Sequence, residues 1–266
     1  MHRFLFASKV AIFHLLGSIT IAAILAFLVF KVWYPYPLSE VTGSFELFWL
    51  VVGIDVICGP LLTLLLASPK KSKREMIVDL SLIILIQLSA FCYGMYHVFE
   101  ARPVVVAFEV DRLRVLTPED IDKSELSKAP EGYQQLPKFS HFFVGTRSAR
   151  DGDDTLDAIS KSLVGFDVGQ RPSWWVPYKD EISTIKSRSL SIKSLSQYLN
   201  KDQKALLEKS VEKTGVSSEE LFAIPLTTPK STDWTALLDQ KMQLVGIAPI
   251  DMFKIQDSIK KDDNKK

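Results

Sequence analysis

An acid in the middle of an apolar run is the residue best placed to do chemistry in this chain. Asp55 sits within VVGIDVICGPLLTLLL, which leads into the basic turn KKSKR at residues 70–74. A carboxyl group inside hydrocarbon is expensive, and such groups mark an ion path, a helix partner or an internal hydrogen bond. On a helix, Asp55, Gly59 and Thr63 fall at i, i+4 and i+8 and form one stripe. A small residue one turn from the acid lets another helix come close. Pro60 removes a backbone donor and leaves the Val56 carbonyl without its helical partner. Three readings stand for Asp55. It is satisfied inside its own bundle by Tyr93 or a neighbouring hydroxyl, it recognises a partner's transmembrane helix, or it serves proton or ion transport. A second face with polar and small members, Gln87, Ala90, Gly94 and His97, suits packing between helices.

The densest feature outside the apolar runs is RPSWWVPY at 171–178. Trp174, Trp175 and Tyr178, held between prolines and led by Arg171, are residue types that dominate interface energetics. The same aromatics could instead fill a domain core or rest on a bilayer surface. Asp151, Asp153 and Asp154 resemble a calcium loop in composition only, because their order breaks the required spacing, and a solvated turn is expected. His14 and His97 belong to no metal-ligand cluster. The chain contains no Gly-rich phosphate cradle, nucleophile elbow, HExxH or CxxC. Serine and lysine are abundant after Lys179, but no motif pairs them. Neither an enzyme nor a cofactor is expected.

The elements that carry these residues are apolar runs at about 10–30, 48–67 and 76–99, each long enough to cross a hydrocarbon core of roughly 30 Å. The first exceeds the ~7–15 residues of a signal-peptide core and lacks a small-residue cleavage site, so it reads as an uncleaved anchor. Trp33, Tyr34 and Tyr36 then suit the headgroup level. His14 falls near the cytoplasmic end of this span. The loop at 31–47 has one basic residue, whereas 70–74 has four. Positive loops stay in the cytoplasm, so the N-terminus and second loop face inward, and everything after Phe99 lies in the periplasm of a bacterial cell. Cys58 and Cys92 both fall in spans, where thiols behave as small hydrophobes. The balance of 32 Lys and Arg against 31 Asp and Glu gives no hint of nucleic acid.

The expected architecture is a membrane protein with three N-terminal transmembrane α-helices followed by a mixed α/β periplasmic domain. Its parts are a three-helix anchor at 1–100, a periplasmic domain at 101–257 and a charged, disordered tail at 258–266. In the domain, 104–110 and 113–116 read as strands around an Asp111-Arg112 turn, with a third strand at 141–146. Thr117, Pro118, Glu119 and Asp120 carry a helix-start signature. Residues 154–163 have helical spacing, with Leu156, Ile159 and Leu163 on one face. Residues 202–213 form the clearest helix, and SSEE at 217–220 opens a short one. The apolar runs 234–238 and 242–247 suggest a hairpin.

Several elements occur in a telling order: WYPYPL at 33–38, Gly53-x-Asp55-x-x-x-Gly59-Pro-Leu-Leu-Thr63, Gln87 with Tyr93 and Gly94, Arg102-Pro103-Val104, and Asp111-Arg112. Arg171-Pro172, Trp175-x-Pro177-Tyr178 and the Trp234 hairpin follow. In this order the chain resembles the type IV pilin accessory proteins of the TfpX/TfpZ type over residues 9–250. A Ser/Lys-rich insert at 187–204 is particular to this sequence. The resemblance implies an inner-membrane, chaperone-like factor that promotes stability or assembly of a cognate major pilin, and so piliation and twitching motility. Its partners would be the pilin's transmembrane helix, the pilin's periplasmic head and the lipid bilayer. Asp55, Gly59 and Thr63 would cradle the helix, and the 171–178 segment would touch the head. The alternative is a membrane-anchored periplasmic sensor, which the small cytoplasmic portion disfavours.

Overall fold

A computed structural model describes residues 2–228 and 231–263 of the chain, which divides into two compact units. The first comprises residues up to Pro35 together with Gly43–Arg102. It holds three helices long and apolar enough to cross a membrane, as the apolar runs predict. Helix α1 (His2–Leu28) continues through a π-turn at Val29–Trp33. After the short α2 (Leu38–Val41), which belongs to the second unit, α3 spans Ser44–Leu66 and α4 spans Lys73–Glu100. Helix α3 is central, and both α1 and α4 pack on it. Phe13, Phe27, Leu65, Ile77 and Leu85 point outward, as lipid-facing side chains must when the solvent is itself apolar.

Polar groups fix the ends of this bundle. Ser72 caps α4 in a reciprocal box, its hydroxyl accepting from the Glu75 N–H at 3.2 Å while Glu75 accepts from the Ser72 N–H at 2.8 Å. Lys71 donates to the last-turn carbonyl of Leu66 at 2.9 Å and pairs with Asp79. At the other end, Tyr34 is fully buried and its hydroxyl donates to the Val98 carbonyl at 2.6 Å. Trp33 packs edge-on against Phe99. The aromatic belt is therefore partly structural, since Tyr34 binds the first span to the third.

The second unit comprises Tyr36–Thr42 and the chain from Pro103 on. Its strands are β1 (Val105–Glu109), β2 (Arg112–Leu116), β3 (Phe142–Thr146), β4 (Trp175–Pro177), β5 (Leu190–Ser191), β6 (Phe222–Thr228), β7 (Ser231–Leu238) and β8 (Leu244–Ala248). Among the described residues they form one mixed eight-stranded sheet in the order β4-β3-β1-β2-β6-β7-β8, with β5 on β6. The pairs β1–β3 and β2–β6 are parallel and the rest antiparallel. Its helices are α5 (Gly152–Leu163), α6 (Ile182–Arg188), α7 (Ile192–Ser196), α8 (Lys201–Thr214) and α9 (Met252–Asp263).

Every residue of β1 is buried, because both faces of the sheet are covered. Val106 and Phe108 look to one face, where α2 supplies Leu38 and Val41 and α6 supplies Ile185. Val105 and Ala107 look to the other, against Trp175. Farther along that second face, Leu207 of α8 and Met252 of α9 close over Ala223 and Leu237. The connection between the first two spans thus lends a helix to the soluble core, an arrangement also held by a Lys213–Glu40 ion pair at 2.9 Å.

Two local expectations fail. The signature at 117–120 yields a turn, because Asp120 folds back to accept from the Thr117 N–H and hydroxyl at 2.8 and 2.7 Å, so the threonine donates instead of capping. The stretch 217–220 is a single 3-10 turn at Ser218–Glu220. Helix α9 extends to Asp263, into the stretch expected to be a disordered tail, and 264–266 lie outside the described residues.

Candidate functional site

The Asp55 stripe is divided between two neighbouring helices. Gly59 faces Gln87 of α4, and a methyl group on its Cα would lie only 2.4 Å from Gln87 Nε2. The glycine is what lets the amide reach α3, where Nε2 donates to the Asp55 carbonyl at 3.2 Å and to its carboxyl Oδ1 at 3.5 Å. Thr63 is fully buried and its hydroxyl lies 2.7 Å from His14 Nδ1 of α1. Gly94, one turn beyond Ala90, repeats the device by admitting Val51 at close range. Ala90 and His97 are exposed, and His97 packs against Tyr93, which is 68 % exposed. Gln87, rather than Tyr93 or a hydroxyl, is the side chain that reaches the acid.

The acid itself remains poorly satisfied. Among the described residues its carboxyl has that one hydrogen bond, at the outer limit of useful length. Asp55 lines two grooves. One, of about 450 Å³, lies between α1 and α4 and is bordered by Phe13, His14, Gly17, Ile21 and Leu88, with Asp55 and Thr63 reaching it from α3. The other, of about 480 Å³, lies between α3 and α4 beside Leu50, Ile54 and Tyr93. A side chain added at Gly17 would meet nothing within 4 Å, so the first groove is open where the α1 backbone borders it. It has apolar walls, a bare backbone patch and one acceptor at mid-depth.

The 171–178 segment is built differently. Arg171, Trp174 and Trp175 are buried and Tyr178 is half-buried. Arg171 donates through Nε and Nη2 to Glu125 at 3.2 and 3.0 Å, and Nη2 also meets Asp157 of α5 at 2.6 Å. Ser173 supplies a further hydrogen bond to Glu125. Trp174 carries the Arg147 guanidinium over its ring at 4.0 Å. Trp175 fills the space beneath β1 and donates from Nε1 to the Gly169 carbonyl at 2.7 Å. Tyr178 reaches the Met242 carbonyl at 2.7 Å, and burial pushes its hydroxyl above the usual phenol range. Both tryptophans thus sit as core residues.

Beneath them lies a charged layer that no sequence motif announces. Glu109 accepts from the Gly169 N–H at 2.8 Å and sits 3.6 Å from Arg114, which also binds Asp167. Burial drives the Glu109 carboxyl above the ordinary range, with Arg114 opposing. The acids at 151–154 form a helix cap, in which Asp151 accepts from the Asp154 N–H at 2.8 Å. No group of three or more potential metal ligands occurs among the described residues. Cys58 and Cys92 are free thiols.

Residues 2–43 match the family model described as fimbrial assembly protein FimB. Two similar proteins from Dichelobacter nodosus extend over nearly the whole chain. Its fimbrial assembly protein of serogroup I is 42 % identical over 253 residues, covering 95 % of this chain and 98 % of that protein. The serogroup E1 protein is 41 % identical over the same length. The protein of serogroups C1 and C2 is 56 % identical over 127 residues, 48 % of this chain. No solved structure matches.

Proposed function

The chain belongs to the family of fimbrial assembly proteins, and from that premise we propose that it is an inner-membrane accessory factor for a type IV major pilin, of the TfpX/TfpZ kind. In this reading the N-terminus is cytoplasmic and the α/β domain periplasmic. The factor holds a pilin subunit by its transmembrane helix, keeping it stable or competent for assembly, and performs no catalysis.

The observation that carries the reading is the Asp55 carboxyl, left with one long hydrogen bond beside an open groove. A polar group in hydrocarbon gains most from a partner that completes its hydrogen bonding. An incoming helix with a donor at mid-depth would do so while its side chains fill the groove. Gly17 would permit close backbone approach, and His14 and Thr63, already paired, would form the fixed floor. The groove between α1 and α4 suits this role better than the stripe's own face, because Gly59 and Thr63 are engaged inside the bundle.

The test is an in-cell photocrosslink from position 17 combined with Asp55→Ala. A pilin adduct at position 17 supports the reading. Asp55→Ala should then lower pilin capture by roughly 3- to 30-fold, the worth of one interhelical hydrogen bond of about 0.6–2 kcal/mol, at unchanged levels of the factor itself. Adducts confined to the factor's own helices, or loss of the factor on removing Asp55, would assign the acid to internal packing and defeat the proposal.

A further inference from the structure

Helix α5 is attached to its domain the wrong way round. Its sequence, GDDTLDAISKSL, is strongly amphipathic, and the apolar residues Leu156, Ile159 and Leu163 would be expected to face the core. Instead the helix has no buried residue, and Leu156, Ile159 and Leu163 are 64 %, 54 % and 83 % exposed. The half-buried positions are Asp154, Ala158 and Lys161, on the opposite side.

Two ion pairs hold it so. Arg147 Nη1 and Nη2 bind the Asp154 carboxylate at 2.6 and 3.4 Å, and Arg171 binds Asp157 at 2.6 Å. A hydrogen bond from Ser162 to Asp167 at 2.6 Å fixes the last turn. Arg147 and Arg171 are themselves braced by Trp174 and Glu125. The aliphatic stripe, continued by Val164 at 70 % exposure, is thereby presented outward.

We propose that this outward stripe of α5 is a second docking site for the same client, receiving an apolar patch with a basic rim on the globular part of the fimbrial subunit. The inference rests on the reading that a subunit occupies the membrane groove. Charge argues for a protein partner. Helices that lie on membranes carry Lys and Arg on their polar face, and anionic headgroups repel acids. Here Asp153 flanks the stripe and Asp151 precedes it, both exposed. Area argues against a second copy as the occupant. A 12-residue helix is about 18 Å long, and one row of aliphatic side chains falls well short of the roughly 1,200 Å² that a stable specific interface buries. A client already tethered through its transmembrane helix needs far less, because the second contact then forms within one complex.

The experiment places a photocrosslinker at position 163 in one strain and at position 17 in another, in the full-length protein in cells. Each is tested with and without the double substitution Leu156→Asp and Ile159→Asp. Both substituted side chains are exposed, so the purified double variant should retain its thermal unfolding midpoint. The expected result is a subunit adduct from both positions. The double variant should reduce the position-163 adduct at least tenfold and the position-17 adduct by a few-fold, as loss of one of two linked contacts requires. A subunit adduct at 17 with none at 163 overturns this inference and leaves the membrane-groove reading standing. So does a position-163 adduct consisting of lipid or of a second copy of this chain. No subunit adduct at either position defeats both.

Discussion

Residues 53–63 and 171–178 both stand out in the sequence because each carries residue types at odds with their surroundings, yet the structure uses them in opposite ways. In the membrane helix the misfit is an acid, and it stays reachable from two grooves with one long hydrogen bond. In the soluble domain the misfit is a pair of tryptophans, and both are buried. The solvent explains the difference. Lipid gives no reason to hide apolar surface, so what is unusual there is polarity, and polarity stays where a partner can meet it. Water drives large aromatics inward, so a tryptophan cluster in a soluble domain fills a core first. A row of exposed aliphatic side chains lies instead on α5, which the buried Arg171 and Trp174 help to hold outward.

The largest effect should come from Trp175→Ala. It empties a fully packed site beneath β1 and deletes the hydrogen bond to Gly169, at a cost of about 3–5 kcal/mol for an aromatic truncation. Denaturant unfolding of the purified full-length protein would measure it. The comparison breaks if the unfolding midpoint is unchanged while subunit capture collapses, because the tryptophan would then be acting at a surface.

A smaller effect separates Gly59 from Gly17 in the membrane unit. Gly59→Ala drives a methyl group into the end of the Gln87 side chain and displaces its amide from Asp55, at a cost of about 1–3 kcal/mol for a buried polar group left unpaired. Adding Gln87→Ala should return most of that loss, since the amide is what the methyl group strikes. Gly17→Ala meets only open space and should leave thermal stability in detergent unchanged while reducing capture through the groove. If both substitutions destabilise equally, the groove is part of the bundle's own packing and the contrast disappears.

Legibility followed the same divide. Three spans were readable because a membrane core dictates length and apolarity, and the runs at 10–30 and 76–99 lie within observed helices while 48–67 overruns α3 by one residue, Ala67. The Asp55–Gly59 stripe was readable because helical periodicity places it on one face. Which side chain meets the acid was not readable, since the rotation of one helix against another is set by contacts such as Gly94 on Val51. In the soluble unit, the strands at β1, β2 and β3 and the β7–β8 hairpin followed from apolar runs and turns. The apolar stripe on α5 was also foreseen, but not its outward direction. That direction depends on Arg147 and Glu125, which carry no local signal and act only after folding brings them together. The same holds for α2, whose Leu38 and Val41 belong to a core assembled almost entirely from residues beyond 103.

The smallest predicted effect tests the attachment of α5 itself and depends on pH. Hydrogen bonding from Arg147 holds the Asp154 carboxyl below the usual carboxylate range, and the Arg150 N–H adds to this. A depressed folded-state value means that the unfolded chain binds the proton more readily. The contribution is therefore complete above the unfolded value of about 3.9 and is lost as pH falls through the lower folded value. Above pH 5 the helix should stay docked through its polar face, stripe outward. A nitroxide at Ser160, read by electron paramagnetic resonance, should become more mobile only as the pH is taken toward 3. Asp154→Asn should raise that mobility at neutral pH and flatten its acid dependence. A spin label whose mobility is indifferent to both changes would mean that Asp157 and Ser162 alone secure the helix. The inverted orientation would then rest on Arg171, tying α5 directly to the buried 171–178 segment.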